Sequence, residues 1–233
     1  MDDHELADLD PFDALDREAA RIDAYLSSLP EAGWTRPSRC AGWSTRDVVA
    51  HLVAAERYHH ACLDGTVEAF LREQRDRGGV DLAAANALDI ARLADRSPVQ
   101  LIAAWRDASA DTRRRFRERD DGVVDTSIGE YPNRWQAFHV AGELATHADD
   151  MSAPVLADER VERMTWRAAY SRFALTEEKP DLVIEGQVGR TRVRGQGIDI
   201  TLDDDELVEA VAGRLDDSSR LDQPTRAVLD IMP

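Results

Sequence analysis

The sequence has little cysteine, almost no lysine and no long apolar run, and each shortage bears on what the protein can be. Its two cysteines, Cys40 and Cys62, are too few for a disulfide framework. Reduced thiols in a cytoplasmic protein are the economical reading. No apolar run reaches the roughly 18 residues that a membrane helix needs. The first residues are acidic rather than basic and then apolar, which argues against a secretory leader. Lys179 is the single lysine among 29 basic residues. Exposed arginine and lysine serve a surface equally well, so this scarcity says nothing of the fold. With the many Ala, Val and Asp residues it suggests a GC-rich genome.

What is abundant is acid. The formal net charge is −17, a surface that repels phosphate backbones and anionic lipid heads and so weighs against nucleic-acid and membrane partners. The acids are spread along the chain, with denser groups at Asp2–Asp10, Asp120–Asp125 and Asp203–Glu206, and read as a solvated surface. At 233 residues and 43% hydrophobic, the chain can bury a real core in one large domain or two small ones.

Helical signals dominate the first two thirds. Asp10-Pro11 is an N-cap followed by proline at the first helical position, and Phe12, Leu15, Ala19, Ile22 and Leu26 follow at helical spacing up to Leu29-Pro30. A loop covers 31–43. Ser44 caps the next helix, with Asp47 at the capping-box position, and the pattern runs through Val48, Leu52, Ala55 and Tyr58 until Gly65 stops it. Residues 66–96 look helical but irregular, broken at Gly78-Gly79. Ser97-Pro98 opens a long helix carrying Leu101, Ile102, Trp105 and Phe116. An acidic, glycine-containing loop is expected over about 120–131, and Pro132 then leads a helix through Trp135, Phe138 and Leu144 to about Met151.

The character changes after Pro154. A helix over about 159–176 precedes alternating segments at 182–186, 190–195 and 198–202, with a Val188-Gly189 turn between the first two. Asp203 or Asp204 caps a last helix through Leu207, Val211 and Leu215. The chain thus divides into a helical part, 1–153, and a small α/β part, 154–233.

One constellation carries chemistry. His139, Glu143 and His147 stand four residues apart on one predicted helix, so neighbouring members share a face. His139 and His147 lie two turns, about 12 Å, apart along the axis, which is too far for one ion to take both ends of the row. His51 sits mid-helix among apolar neighbours, where a polar ring needs a partner. Two imidazoles and a carboxylate make a known zinc set with one position left open, and facing helices of a bundle can build it. Spacing alone also admits an ordinary Glu143–His147 helix pair, worth a few tenths of a kcal/mol.

The segment from Trp34 to Leu52, Trp-Thr-Arg-Pro-Ser-Arg-Cys-Ala-Gly-Trp-Ser-Thr-Arg-Asp-Val-Val-Ala-His-Leu, resembles the helix 1–2 junction of the mycothiol-dependent maleylpyruvate isomerase family, within the DinB-like superfamily. Glu143-x-x-x-His147-x-x-Asp150 resembles that family's second motif, in the same order and at about the same separation. The resemblance covers most of 10–153, and more faintly the α/β part that often follows. It implies a mainly α fold, a DinB-like four-helix bundle followed by a small α/β domain. It also implies a divalent metal, with zinc expected, on His51, Glu143 and His147, and mycothiol as co-substrate.

The implied chemistry is activation of a low-molecular-weight thiol for transfer to, or isomerisation of, a small electrophile. A thiol of pKa near 8.5 is mostly protonated at neutral pH, and a bound cation would deprotonate it. A metal-binding stress or binding module without turnover, and a metal-dependent hydrolase, predict the same ligands. Asp150 and His139 stand outside the ligand set. Asp150 is a candidate to orient a ligand, or else a helix-end carboxylate in solvent; His139 is a candidate acid–base or pocket residue. Cys40 reads as a packing residue, and Trp34 and Trp43 as staples of the loop. His59 and His60 are expected at a rim. Arg134 could meet a carboxylate substrate. The oligomer is a monomer or a homodimer.

Overall fold

Capping boxes written into the sequence set the starts of two long helices in the computed structural model, which describes residues 5–231. Helix α1 is Pro11–Ser28 and α2 is Thr45–Asp64. Ser44 and Asp47 form the reciprocal capping box at the start of α2, and Gly65 ends it in the left-handed region at φ +67°. A Cβ there would also stand 3.1 Å from Asp125 Oδ2, so glycine suits the position twice over. Ser97 and Gln100 form a second capping box ahead of α5, Pro98–Arg119. Helix α6, Asn133–Asp150, follows Pro132.

These four helices make the bundle. Phe12, Leu15, Ala19, Ile22 and Leu26 of α1 are all buried, as are Val48 and Leu52 of α2, Leu101, Trp105 and Phe116 of α5, and Phe138 and Leu144 of α6. Helix α1 packs on α6 and α5, and α2 packs on α5. Burying one such large side chain contributes about 1.5–3 kcal/mol, against about 1 kcal/mol for a cap. Packing therefore holds the bundle, and the two capping boxes fix where α2 and α5 begin.

The irregular stretch at 66–96 resolves into α3, Val67–Asp76, and α4, Leu82–Arg92. A buried polar knot joins them. Asp89 of α4 accepts from Gln74 Nε2 at 2.7 Å and from Arg77 Nη1 at 2.9 Å. Arg57 of α2 reaches Glu73 at 2.8 Å.

The loop expected at 120–131 is instead largely an antiparallel hairpin, β1 Val123–Thr126 and β2 Gly129–Pro132, in register Val124↔Tyr131. Its strands are only four residues long, too short and polar to announce themselves by alternation. Tertiary contacts supply what local pattern lacks. The Tyr58 hydroxyl of α2 accepts from Ser127 N at 3.1 Å, Tyr131 OH lies 3.0 Å from His139 Nε2, and Val124 and Tyr131 are buried. Asn133, fully buried, donates to the carbonyls of Phe116 and Asp120 and so ties the end of α5 to the start of α6.

By backbone contacts the chain separates into two units, the bundle unit Pro11–Pro154 and a second formed by the described residues from Val155 onward with those before Pro11. In the second unit, α7 is Arg160–Glu178. Strands β3 Val183–Gln187, β4 Arg190–Gly195 and β5 Ile198–Asp203 form an antiparallel sheet in that order. Helix α8, Asp204–Val211, stops short of Leu215, and α9, Gln223–Leu229, escaped the sequence reading. Leu175, Val193, Leu202, Leu207, Val211 and Leu229 share one core. Glu5 joins this unit through an ion pair with Arg172 at 2.7 Å. The fold is mainly α with a small α/β part. Among the described residues no helix is long and apolar enough to cross a membrane.

Ser44→Ala removes the side-chain half of the α2 box. Stability is expected to fall by about 1 kcal/mol, read as a lower urea midpoint with an unchanged slope.

Candidate metal centre

The capping box and the apolar row of α2 place His51 on the second turn of that helix, and α6 carries Glu143 and His147 one turn apart. His51 and His147 are each 9% exposed. Their rings meet edge to face with centroids 4.9 Å apart, and His51 Nε2 lies 3.1 Å from Glu143 Oε1. One potential ligand atom from each of His51, Glu143 and His147 lies within 4.8 Å of the other two. Two imidazoles and a carboxylate at that separation have the chemistry and the spacing to take one divalent ion.

The surroundings brace this cluster. Trp43 packs its ring 5.2 Å from that of His51, while Trp34 is buried in the loop. The loop is stitched by Ser38 N to Trp43 O at 2.8 Å and is tied to the end of α6 by Arg39 N to Asp150 O at 3.1 Å. Asp150 is 2% exposed rather than a solvated helix-end carboxylate, and its Oδ2 lies 3.0 Å from His147 Nδ1. With Nδ1 held as a donor to that carboxylate, the ring keeps the lone pair of Nε2 for an ion.

Two histidines need fresh placement. His59 is 5% exposed, not at a rim, and its Nε2 stands 3.5 Å from Glu143 Oε2. Glu143 thus spans two imidazoles of α2, one on each oxygen. Sequence spacing could not show this, because His51 and His59 are eight residues apart, about 12 Å along an ideal helix, and the carboxylate between them comes from α6. His60 turns toward α5, with Nε2 3.3 Å from Ala108 O. His139 is half-buried and engaged with Tyr131; it is not in the ligand-atom cluster. Arg134 pairs with Asp120 at 3.2 Å and stacks over Phe12. Cys40, read as packing, turns its Sγ to Asp150 Oδ2 at 3.0 Å, a contact for which one sequence offers no cue.

Charge in the cluster is balanced by these pairs. Burial raises the Glu143 carboxyl, but hydrogen bonds from His51 and His59 and their charges outweigh it and hold the group well below its ordinary 4.5. Burial pushes the His59 imidazolium down; the Glu143 hydrogen bond and the charges of Glu56 and Glu143 push it up by more, and it ends above its ordinary 6.5.

The fold and the cluster together define a class: helix-bundle proteins that gather histidine and carboxylate donors from two helices. The chain belongs to the mycothiol maleylpyruvate isomerase N-terminal domain family, whose family model matches residues 15–152. No curated protein and no solved structure matches the chain.

The shifted groups set a pH window for metal-free protein. The contribution of His59 is complete below 6.5 and is lost as pH rises through its raised value. That of Glu143 is complete above 4.5 and is lost as pH falls through its lowered value. Both therefore stabilise the fold fully between those limits. Glu143→Gln removes the larger upward influence on His59, so the His59 midpoint, followed by imidazole proton NMR, is expected to drop. An unmoved midpoint would contradict the pairing.

Proposed function

We propose that the bundle is a divalent-metal centre, zinc by donor type, at which a low-molecular-weight thiol of the mycothiol kind is activated to attack a small electrophile in a cytoplasmic transfer or isomerisation reaction. The observation that carries this reading is the convergence of His51, Glu143 and His147, with ligand atoms within 4.8 Å of one another. Membership of a family named for mycothiol maleylpyruvate isomerase supports the choice of thiol.

In this reading His51 and His147 are neutral donors and Glu143 supplies one negative charge. Three protein ligands leave a position for the thiol sulfur. When bound, the ion supplies the positive charge that favours a thiolate over a thiol and fixes the sulfur in place. Asp150 keeps His147 in the tautomer that presents Nε2, since it lies 3.0 Å from Nδ1. Trp43 limits rotation of His51 by ring contact. His59 holds the second oxygen of Glu143 and so aims the first.

Elemental analysis of purified protein tests the centre. About one equivalent of metal is expected in the wild type, less in His51→Ala and almost none in His147→Ala; full retention in both would refute the ligand assignment. Asp150→Asn is expected to weaken metal binding by about 10–100-fold, measured by chelator competition. Thiol activation is tested separately. Cobalt-substituted protein should develop a sulfur-to-metal charge-transfer band when mycothiol is added, and no additional absorption on addition would remove the thiol from the proposal.

A further inference from the structure

Behind His147, on its Nδ1 side, lies a second group of potential ligands. Cys40 Sγ is 3.0 Å from Asp150 Oδ2 and 3.8 Å from His147 Nδ1. Asp150 Oδ2 is itself 3.0 Å from that nitrogen. The three atoms form a closed triangle. Zinc-like ions bind sulfur at about 2.3 Å and nitrogen or oxygen at about 2.0–2.2 Å, so neighbouring donors of a tetrahedral site stand roughly 3.3–3.7 Å apart. The observed edges bracket that range. Asp150 is 2% exposed and Cys40 is partly exposed, which gives an ion a way in.

The scaffold around this triangle is fixed. Cys40 lies in the loop whose preceding residue, Arg39, donates its amide to the Asp150 carbonyl. Ser38 Oγ accepts from the Cys40 amide at 3.2 Å and donates to the Trp43 carbonyl at 2.9 Å. His147 and Asp150 share the last turn of α6. The donors thus come from two elements already joined by main-chain bonds, and no backbone movement is needed to bring them together.

We infer that Cys40, His147 and Asp150 form a second metal site, suited to a thiophilic d10 cation, which competes for His147 with the His51–Glu143–His147 set. The donor sets differ in the one respect that decides preference: the second contains a sulfur, the first does not, and soft ions follow thiolate. On binding, the cation takes the place of the Cys40 thiol proton, which is released to solvent, and the His147 proton passes from Nδ1 to Nε2 through solvent, which frees the Nδ1 lone pair for the cation and removes that of Nε2. A neutral imidazole has one lone pair to give, so His147 cannot serve both sets at once. Asp150, once a ligand, also ceases to hold Nδ1. A thiophilic ion captured here therefore loosens the ion held by the other set. That competition rests on the metal reading of His51, Glu143 and His147; the Cys40 site does not.

Cadmium is the probe, titrated into metal-stripped full-length protein with no small thiol present. A thiolate-to-cadmium absorption is expected in the wild type, saturating near one equivalent. It should be lost in Cys40→Ser and His147→Ala, and kept in His51→Ala. Cys62→Ser should keep it too, because Cys62 is fully buried and its thiol is pushed up to about 11 by burial. Cadmium should also protect Cys40 from iodoacetamide, read by peptide mass spectrometry in unaltered protein, which removes any dependence on how variants fold. Absence of the band in the wild type, its survival in Cys40→Ser, or alkylation of Cys40 undiminished by cadmium would each overturn the site. If His51→Ala and His147→Ala both retain their native metal, the other set fails instead. If the cadmium site forms but zinc loaded beforehand is not displaced, only the competition is overturned.

Discussion

Glu143, a half-buried carboxylate between α2 and α6, is paired on both oxygens. Without those partners a partly desolvated charge would be left uncompensated, at a cost that its residual exposure reduces. The pairing therefore constrains α2 and α6 together. His51 and His59 have to face Glu143 at the same time, and this is met only if α2 begins at the right residue. The Ser44–Asp47 box sets that start, and the loop before it is pinned to the end of α6 through Arg39 and Asp150. A polar cluster of this kind adds little net stability over an apolar core, but it specifies one register of one helix against another.

Around His147 the same economy recurs. One imidazole touches Asp150 on one side, has Cys40 near, and meets His51 edge to face. Its tautomer is consequently the variable on which the site turns. While Asp150 accepts from Nδ1, the ring can donate a lone pair toward His51 and Glu143. A cation taken up beside Cys40 would reverse that arrangement. In the proposed reading the centre is tuned by a residue, Asp150, that needs no contact with substrate, and by a thiol in a loop rather than in either helix.

Much of the fold was legible because it was written locally. Helix starts at Pro11, Ser44 and Ser97 carry their own chemistry, and the apolar rows of α1, α2 and α5 repeat at helical spacing. The three strands after residue 182 announced themselves by alternation and a glycine turn. The β1–β2 hairpin did not, since its four-residue strands hold no sustained alternation and depend on Tyr58 and His139 for anchorage. Helix α9 is seven residues long, too short for a period to stand out. In the site, Glu143 and His147 could be paired from spacing, and the Trp34–Leu52 resemblance implied that His51 joins them. The burial of His59 and the Cys40–Asp150 contact had no such signal.

By itself, then, the sequence determined the helical character of the first two thirds, where most of the long helices start, the donor types and the acidic surface, because caps, periodicity and composition act within a few residues. It also determined that Glu143 and His147 share a face, since four residues on one helix leave little freedom. Only the tertiary structure decided that His51 approaches that face from another helix, that His59 takes the far oxygen of Glu143, and that Cys40 closes on Asp150 and the other nitrogen of His147. Those contacts join residues 84 to 110 positions apart, and helix packing, which no local propensity encodes, brings them within bonding distance.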